Sequence, residues 1–128
     1  MTRILLVGPE PETIDYTDPA LPPGLDVVKV RAGLALAAAT LAQRGWQMDI
    51  CLLPPDGTAA AMLQAQLAGT EYQCVVIGTG LRLPPKNLLL FELAINIIHK
   101  TAPNAAIAFN TGPVQTSDAA ARWVLERK

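Results

Sequence analysis

Four short apolar runs, each stopped by glycine, proline or asparagine and each followed by a stretch suited to a helix, set the limits on this fold. Arg3-Ile4-Leu5-Leu6-Val7 stops at Gly8-Pro9, Trp46 to Leu53 stops at Pro54-Pro55-Asp56-Gly57, Gln73 to Ile77 stops at Gly78, and Ala105 to Phe109 stops at Asn110-Thr111-Gly112-Pro113. The first run is continuous rather than alternating, as expected of a strand covered on both faces. Between and after them lie helical stretches at about Leu25 to Arg44, Thr58 to Ala68, Pro85 to Thr101, and from Thr116 or Ser117 as N-cap to the C-terminus. Strand and helix alternate without a linker or repeat. The expectation is one α/β domain over residues 1–128, a three-layer sandwich around a doubly wound parallel sheet of about four strands in the order 2-1-3-4.

The chain of 128 residues is long enough to bury a real core. Net charge is −1 and no basic stripe is present, which argues against a nucleic-acid partner. The apolar N-terminal run is too short for a signal peptide, and the longest apolar stretch, near Gly33 to Ala42, is far short of a membrane span. Cys51 and Cys74 sit inside strands without metal or redox spacing and read as buried apolar groups of a reducing, cytoplasmic and bacterial setting. One histidine leaves no cluster for a metal, so no metal site is assigned and cofactors stay unknown. His99, near the end of a helix, suits the helix dipole. Trp46 and Trp123 read as packing residues, and Ser117 as a cap.

In an open parallel sheet, ligands bind where strands end and helices begin, at the point where strand order reverses. That places the ends of the first and third strands together, with Gly8, Glu10, Thr79, Gly80 and Arg82, and adds Asn110 and Thr111 from the fourth. Backbone N–H groups at Thr79 and Gly80, with Arg82 and Lys86 nearby, form an anion site in principle. The expected ligand is a small molecule bearing a phosphate or carboxylate, held by Glu10, Thr79, Gly80, Arg82, Lys86, Asn110 and Thr111. The Pro-rich segment Glu10 to Gly24 is long for a loop in a compact domain and is placed to act as a lid. Its acids Glu10, Glu12, Asp15 and Asp18 read as a solvated acidic loop, with Glu10 or Asp15 as acid/base group in an enzymatic alternative. No nucleophile–base pair is visible, and no catalytic residue is assigned.

Two helices carry more apolar residues than one core face needs. In Pro85 to Thr101, Leu88, Phe91, Ile95 and Ile98 form the expected core stripe, leaving Leu89, Leu90, Leu93 and Ile97 outside it. In the first helix, Val27, Val30, Leu34 and Leu41 face the core, and Val28 and Leu36 face away. The excess reads as a homo-oligomer interface through either helix. It also supports the alternative function, a protein-interaction or regulatory module like a degenerate receiver domain.

The alternation of strands and helices resembles flavodoxin-like and Rossmann-like domains over nearly the whole chain, and implies their fold. Their functional motifs are not met: Gly8-Pro9-Glu10-Pro11 stands where flavodoxins carry a hydroxyl-rich phosphate loop. Gly78 stands where receiver domains carry the phosphoacceptor aspartate. Gly78-Thr79-Gly80 supplies two glycines of a dinucleotide fingerprint and Leu83 replaces the third. Asp18-Pro19-Ala20-Leu21-Pro22-Pro23-Gly24 and Pro84-Pro85-Lys86-Asn87-Leu88 also look like segments of a group of small bacterial proteins with no assigned activity.

Overall fold

A computed structural model describes residues 2–124. Four strands, β1 (Arg3–Pro9), β2 (Gln47–Leu53), β3 (Cys74–Ile77) and β4 (Ala106–Phe109), form one parallel sheet in the order β2-β1-β3-β4. This is the expected doubly wound α/β sandwich, in the flavodoxin-like winding. The register sets Val7 beside both Cys51 and Ile77, and Ile77 beside Phe109. The segments that leave β1, β3 and β4 therefore emerge together at one end of the sheet.

Helices α1 (Val27–Gln43) and α5 (Thr116–Ala121) cover one face, and α2 (Ala59–Gly69) and α4 (Leu88–Thr101) the other. Strand geometry divides the core: successive side chains point to opposite faces. Leu5, Val7, Val75 and Ile77 pack toward α2 and α4 with Leu63, Leu67, Ala94 and Ile98. Ile4, Leu6, Cys74, Val76 and Ala108 pack toward α1 and α5 with Leu41, Ala119 and Ala120. Burying each large aliphatic side chain is worth about 1.5–3 kcal/mol, so the central strands β1 and β3 carry much of the stabilisation.

The helix expected from Pro85 starts later. A single turn, α3 (Thr79–Arg82), directly follows β3, and a 3-10 turn at Pro85–Asn87 precedes α4. The break falls at Pro84, which is extended (φ −65°, ψ 123°) because the ring of Pro85 crowds a helical conformation there. In α4, Phe91, Ile95 and Ile98 of the expected stripe meet the core, but the covered face is wider and turned away from Leu88. Ile97, Ile98 and Ala94 are buried, with Leu90, Phe91 and Ile95 packed against them, while Leu88 is exposed. Trp46 is buried as expected, but Trp123 is 59% exposed. Ser117 is buried inside α5 rather than capping it, and α5 ends at Ala121. The remainder of the expected C-terminal helix, residues 125–128, lies outside the described residues. Both cysteines are free and buried, and burial pushes the Cys74 thiol up to about 12.

Candidate functional site

A cavity of about 380 Å³ opens at the C-terminal ends of β1, β3 and β4, between α1 and the Pro-rich segment. Its floor is Leu6, Gly8 and Gly78. One wall is the start of α1, with Lys29, Val30, Gly33 and Leu34. The opposite walls are Thr79 and Gly80 of α3 and the 110–115 loop, and Ile14, Leu21, Pro22 and Leu25 close it from the Pro-rich segment. The volume lies within the range of small-molecule sites, about 300–1,000 Å³.

The wall at the strand ends is fixed by buried hydrogen bonds. Asn110 is 2% exposed. Its N–H donates to the Ile77 carbonyl, its Oδ1 accepts from the Thr79 N–H at 3.2 Å, and its Nδ2 donates to the Thr116 hydroxyl at 3.1 Å. The asparagine thereby ties the end of β4 to the start of α3 and to α5. The Asn87 amide donates to the Gly80 carbonyl at 2.9 Å and holds the far end of the same turn. Gly80 owes its identity to close approach, because a Cβ there would lie 3.2 Å from Cγ of Pro9. Gly33 is similar: a Cβ would lie 3.2 Å from Pro113, so its absence lets α1 meet the 110–115 loop.

The Pro-rich segment, residues 10–26, lies over the crevice as a strap. Its backbone hydrogen bonds between Thr13 and Leu21 close within the strap itself: Thr13 to Glu10, Ile14 to Pro11, Asp18 to Asp15, Leu21 to Asp18. Charged side chains attach it to the body. Glu12 pairs with Arg31 of α1 at 2.6 Å, and Asp15 pairs with Lys86 at 3.1 Å. Lys29 Nζ donates to the Gly24 carbonyl at 2.6 Å, and Asp26 caps α1 by accepting from the Lys29 N–H at 2.8 Å. The Arg31 guanidinium holds the Glu12 carboxyl below its usual range. Hydrogen bonds from Thr17, then Lys86, hold Asp15 down to about 2. Two of the acids read as a solvated loop, Glu12 and Asp15, are thus the strap's attachment points, while Asp18 accepts from the Ala20 N–H within the strap.

Of the seven residues that the sequence brings to the crevice, Thr79, Gly80, Asn110 and Thr111 line the cavity. The other three are not in its lining. Glu10 holds the chain at the exit of β1, its N–H donating to the Leu53 carbonyl. Arg82 Nη2 donates to the Asn110 carbonyl at 3.0 Å, and its guanidinium carbon sits 5.9 Å from the centre of the Phe109 ring. Lys86 faces Asp15. The cation at the cavity is Lys29, which sequence reasoning passed over, together with the apolar strap residues Ile14, Leu21 and Leu25. A signal for them existed: apolar residues spaced through a proline-rich loop need some surface to cover. Of the α1 residues expected to face the core, Leu41 is buried, Leu34 packs against that cluster and also lines the cavity, and Val30 lines the cavity.

The lining among the described residues carries no carboxylate, imidazole or thiol, and no described cluster of three or more His, Cys, Asp or Glu is arranged to hold a metal. No described helix is long and apolar enough to cross a membrane. No family model, curated protein or solved structure matches this chain, so the likeness to a group of small bacterial proteins has no support from them.

Proposed function

We propose that this protein is a binding domain for a small anionic molecule, held in the crevice at the ends of β1, β3 and β4. The observation that carries the reading is the cavity itself. It lies where a doubly wound sheet places its ligands, and its lining combines an apolar interior with a few donors: Lys29, Thr79, Thr111 and Gln115. Those groups can orient a ligand, and none of them is a general base at neutral pH, which favours binding over catalysis. The free, buried thiols of Cys51 and Cys74 support a cytoplasmic setting.

The test uses anilinonaphthalene sulfonate, an apolar fluorophore with one anionic group, against the folded protein and Val30→Trp, whose indole fills the cavity. Binding at one site per chain that the substitution abolishes, with circular dichroism unchanged, is the expected result. Equal dye binding by both proteins overturns the site.

A second reading, an interaction surface or homo-oligomer contact, is favoured by the exposed leucines of α4, Leu88, Leu89 (79% exposed) and Leu93. It predicts an oligomer by light scattering that Leu89→Glu dissociates. A monomer at high concentration removes the homo-oligomer.

A further inference from the structure

Resting on the binding-site reading above, we infer that the ligand is an apolar monocarboxylate, an aromatic or branched aliphatic acid, rather than a phosphate ester. Three features of the cavity carry this. The first is its charge: Lys29 is the one ionisable side chain in the lining among the described residues. The cations that would raise that charge are committed elsewhere, Lys86 to Asp15 and Arg82 to the Asn110 carbonyl and the Phe109 ring. One ammonium matches one carboxylate. A phosphate monoester carries between one and a half and two negative charges at neutral pH and several strong acceptor oxygens, and is recognised by multiple donors or an Arg fork.

The second feature is the polar inventory. Asn110, the most deeply buried polar side chain of the wall, already accepts from Thr79 N–H and donates to Thr116. Of the two backbone N–H groups that a phosphate loop would offer here, those of Thr79 and Gly80, the first is therefore taken. The hydroxyls of Thr79 and Thr111 and the amide of Gln115 make no hydrogen bond to another described side chain or backbone group. They are neutral donors, able to orient the two oxygens of a carboxylate without adding the positive charge that a phosphate calls for.

The third is the polarity gradient. The interior is Leu6, Leu21, Val30, Leu34 and Leu52, of which Leu6 and Leu21 are buried, whereas Lys29, Thr111 and Gln115 are exposed and stand at the mouth. A ligand with an apolar body and one charged end enters body first and leaves its carboxylate beside Lys29. The ammonium has three donors, and its bond to the Gly24 carbonyl uses one of them.

Calorimetric titration of the full chain with 3-phenylpropionate, 3-phenylpropionamide and phenyl phosphate tests this, on the native protein, Lys29→Gln and Val30→Trp. Native protein is expected to bind the carboxylate roughly tenfold more tightly than the neutral amide, the scale of one charge-assisted hydrogen bond, and to bind phenyl phosphate no better than the amide. Lys29→Gln is expected to bring the carboxylate down to the affinity of the amide, leave the amide unchanged, and keep its thermal midpoint. Equal affinities for carboxylate and amide, or tighter binding of phenyl phosphate, overturn the ligand class while leaving the site standing. Equal loss of affinity for carboxylate and amide in Lys29→Gln, with the preference retained, assigns Lys29 a structural role and overturns the charge match. Binding of none of the three, or binding that Val30→Trp leaves intact, overturns the site reading and the ligand class with it.

Discussion

The two walls of the cavity are built on different physical terms. The wall at the strand ends is continuous with the core: Gly8 and Gly78 extend paired strands, and Asn110 locks three elements with buried hydrogen bonds. Between Thr13 and Leu21 the strap opposite makes its backbone hydrogen bonds to itself, and it reaches the body through exposed ion pairs, the Lys29 bond to the Gly24 carbonyl and the buried side chains of Pro11 and Leu21. Buried polar bonds are costly to break, because their partners are left without water. Exposed ion pairs are weakly stabilising and screened by salt. The comparison teaches that local opening, which occurs where few buried contacts must be lost, belongs to the strap, while the strand-end wall opens only with the whole fold.

The largest expected effect lies in the fixed wall. Asn110→Ala removes the acceptor for the Thr79 N–H and the donor to Thr116 inside the protein. The cost should be about 2–4 kcal/mol, read from urea unfolding. A loss under about 1 kcal/mol would mean that water reaches these groups and that the wall is no more fixed than the strap. Gly80→Ala comes next, and it probes both walls at once. The added methyl would lie 3.2 Å from the Pro9 ring at the end of β1 and 3.6 Å from Cδ1 of Ile14 in the strap. Overpacking against an immobile ring costs about 1–3 kcal/mol. The expected result is a destabilisation in that range, because the nearer contact belongs to the rigid side. A neutral outcome would show that the exit of β1 shifts with the strap.

This contrast also explains what the sequence made legible. Strands were readable because a sheet covered on both faces needs continuous apolar runs, and Leu5 to Val7 and Cys74 to Ile77 are such runs. Strand order was not written in the residues: it came from the fold class that the alternation implies, and the sheet has that order. Thr79, Gly80, Asn110 and Thr111 could be placed together because backbone topology alone brings strand ends to one edge. Side-chain direction was not readable in the same way. Arg82 is captured by the Phe109 ring of β4 and the Asn110 carbonyl just after it, and Lys86 by an acid about seventy residues earlier in the chain. The rotation of α4 was hidden by its composition: Leu88, Leu89 and Leu90 in succession give no polar contrast, so contact with the sheet decides which of them is covered. The break at Pro84 was written in the Pro84-Pro85 pair, yet the helical pattern on its C-terminal side masked it.

The smallest effect is expected in the strap, and its direction follows from the charge on Asp15. Asp15→Asn removes the pair with Lys86 while leaving the strap's apolar anchors. Global unfolding should be unchanged within error, because both partners are about half exposed and water screens their attraction. Amide hydrogen exchange between Thr13 and Leu21 should accelerate several-fold, since local opening no longer breaks that pair. Acid should act in the same way on the native chain. The Asp15 carboxyl is held at about 2, below its ordinary 3.8, first by Thr17 within the strap and then by Lys86, and the Lys86 share is the part that links its ionised form to the closed strap. A group depressed in the folded state contributes fully above its unfolded value, and that contribution is lost as pH falls from about 3.8 to about 2. Strap exchange, corrected for intrinsic rates, should therefore rise across that interval in native protein, and Asp15→Asn should show a smaller rise. Glu12, also held low by Arg31, supplies the rise that remains. Equal rises in both proteins would assign the strap's attachment to Glu12 and Arg31 alone. No rise in either would mean that Pro11 and Leu21 hold it without help from charge, and the two walls would then differ in hydrogen bonding but not in how readily they open.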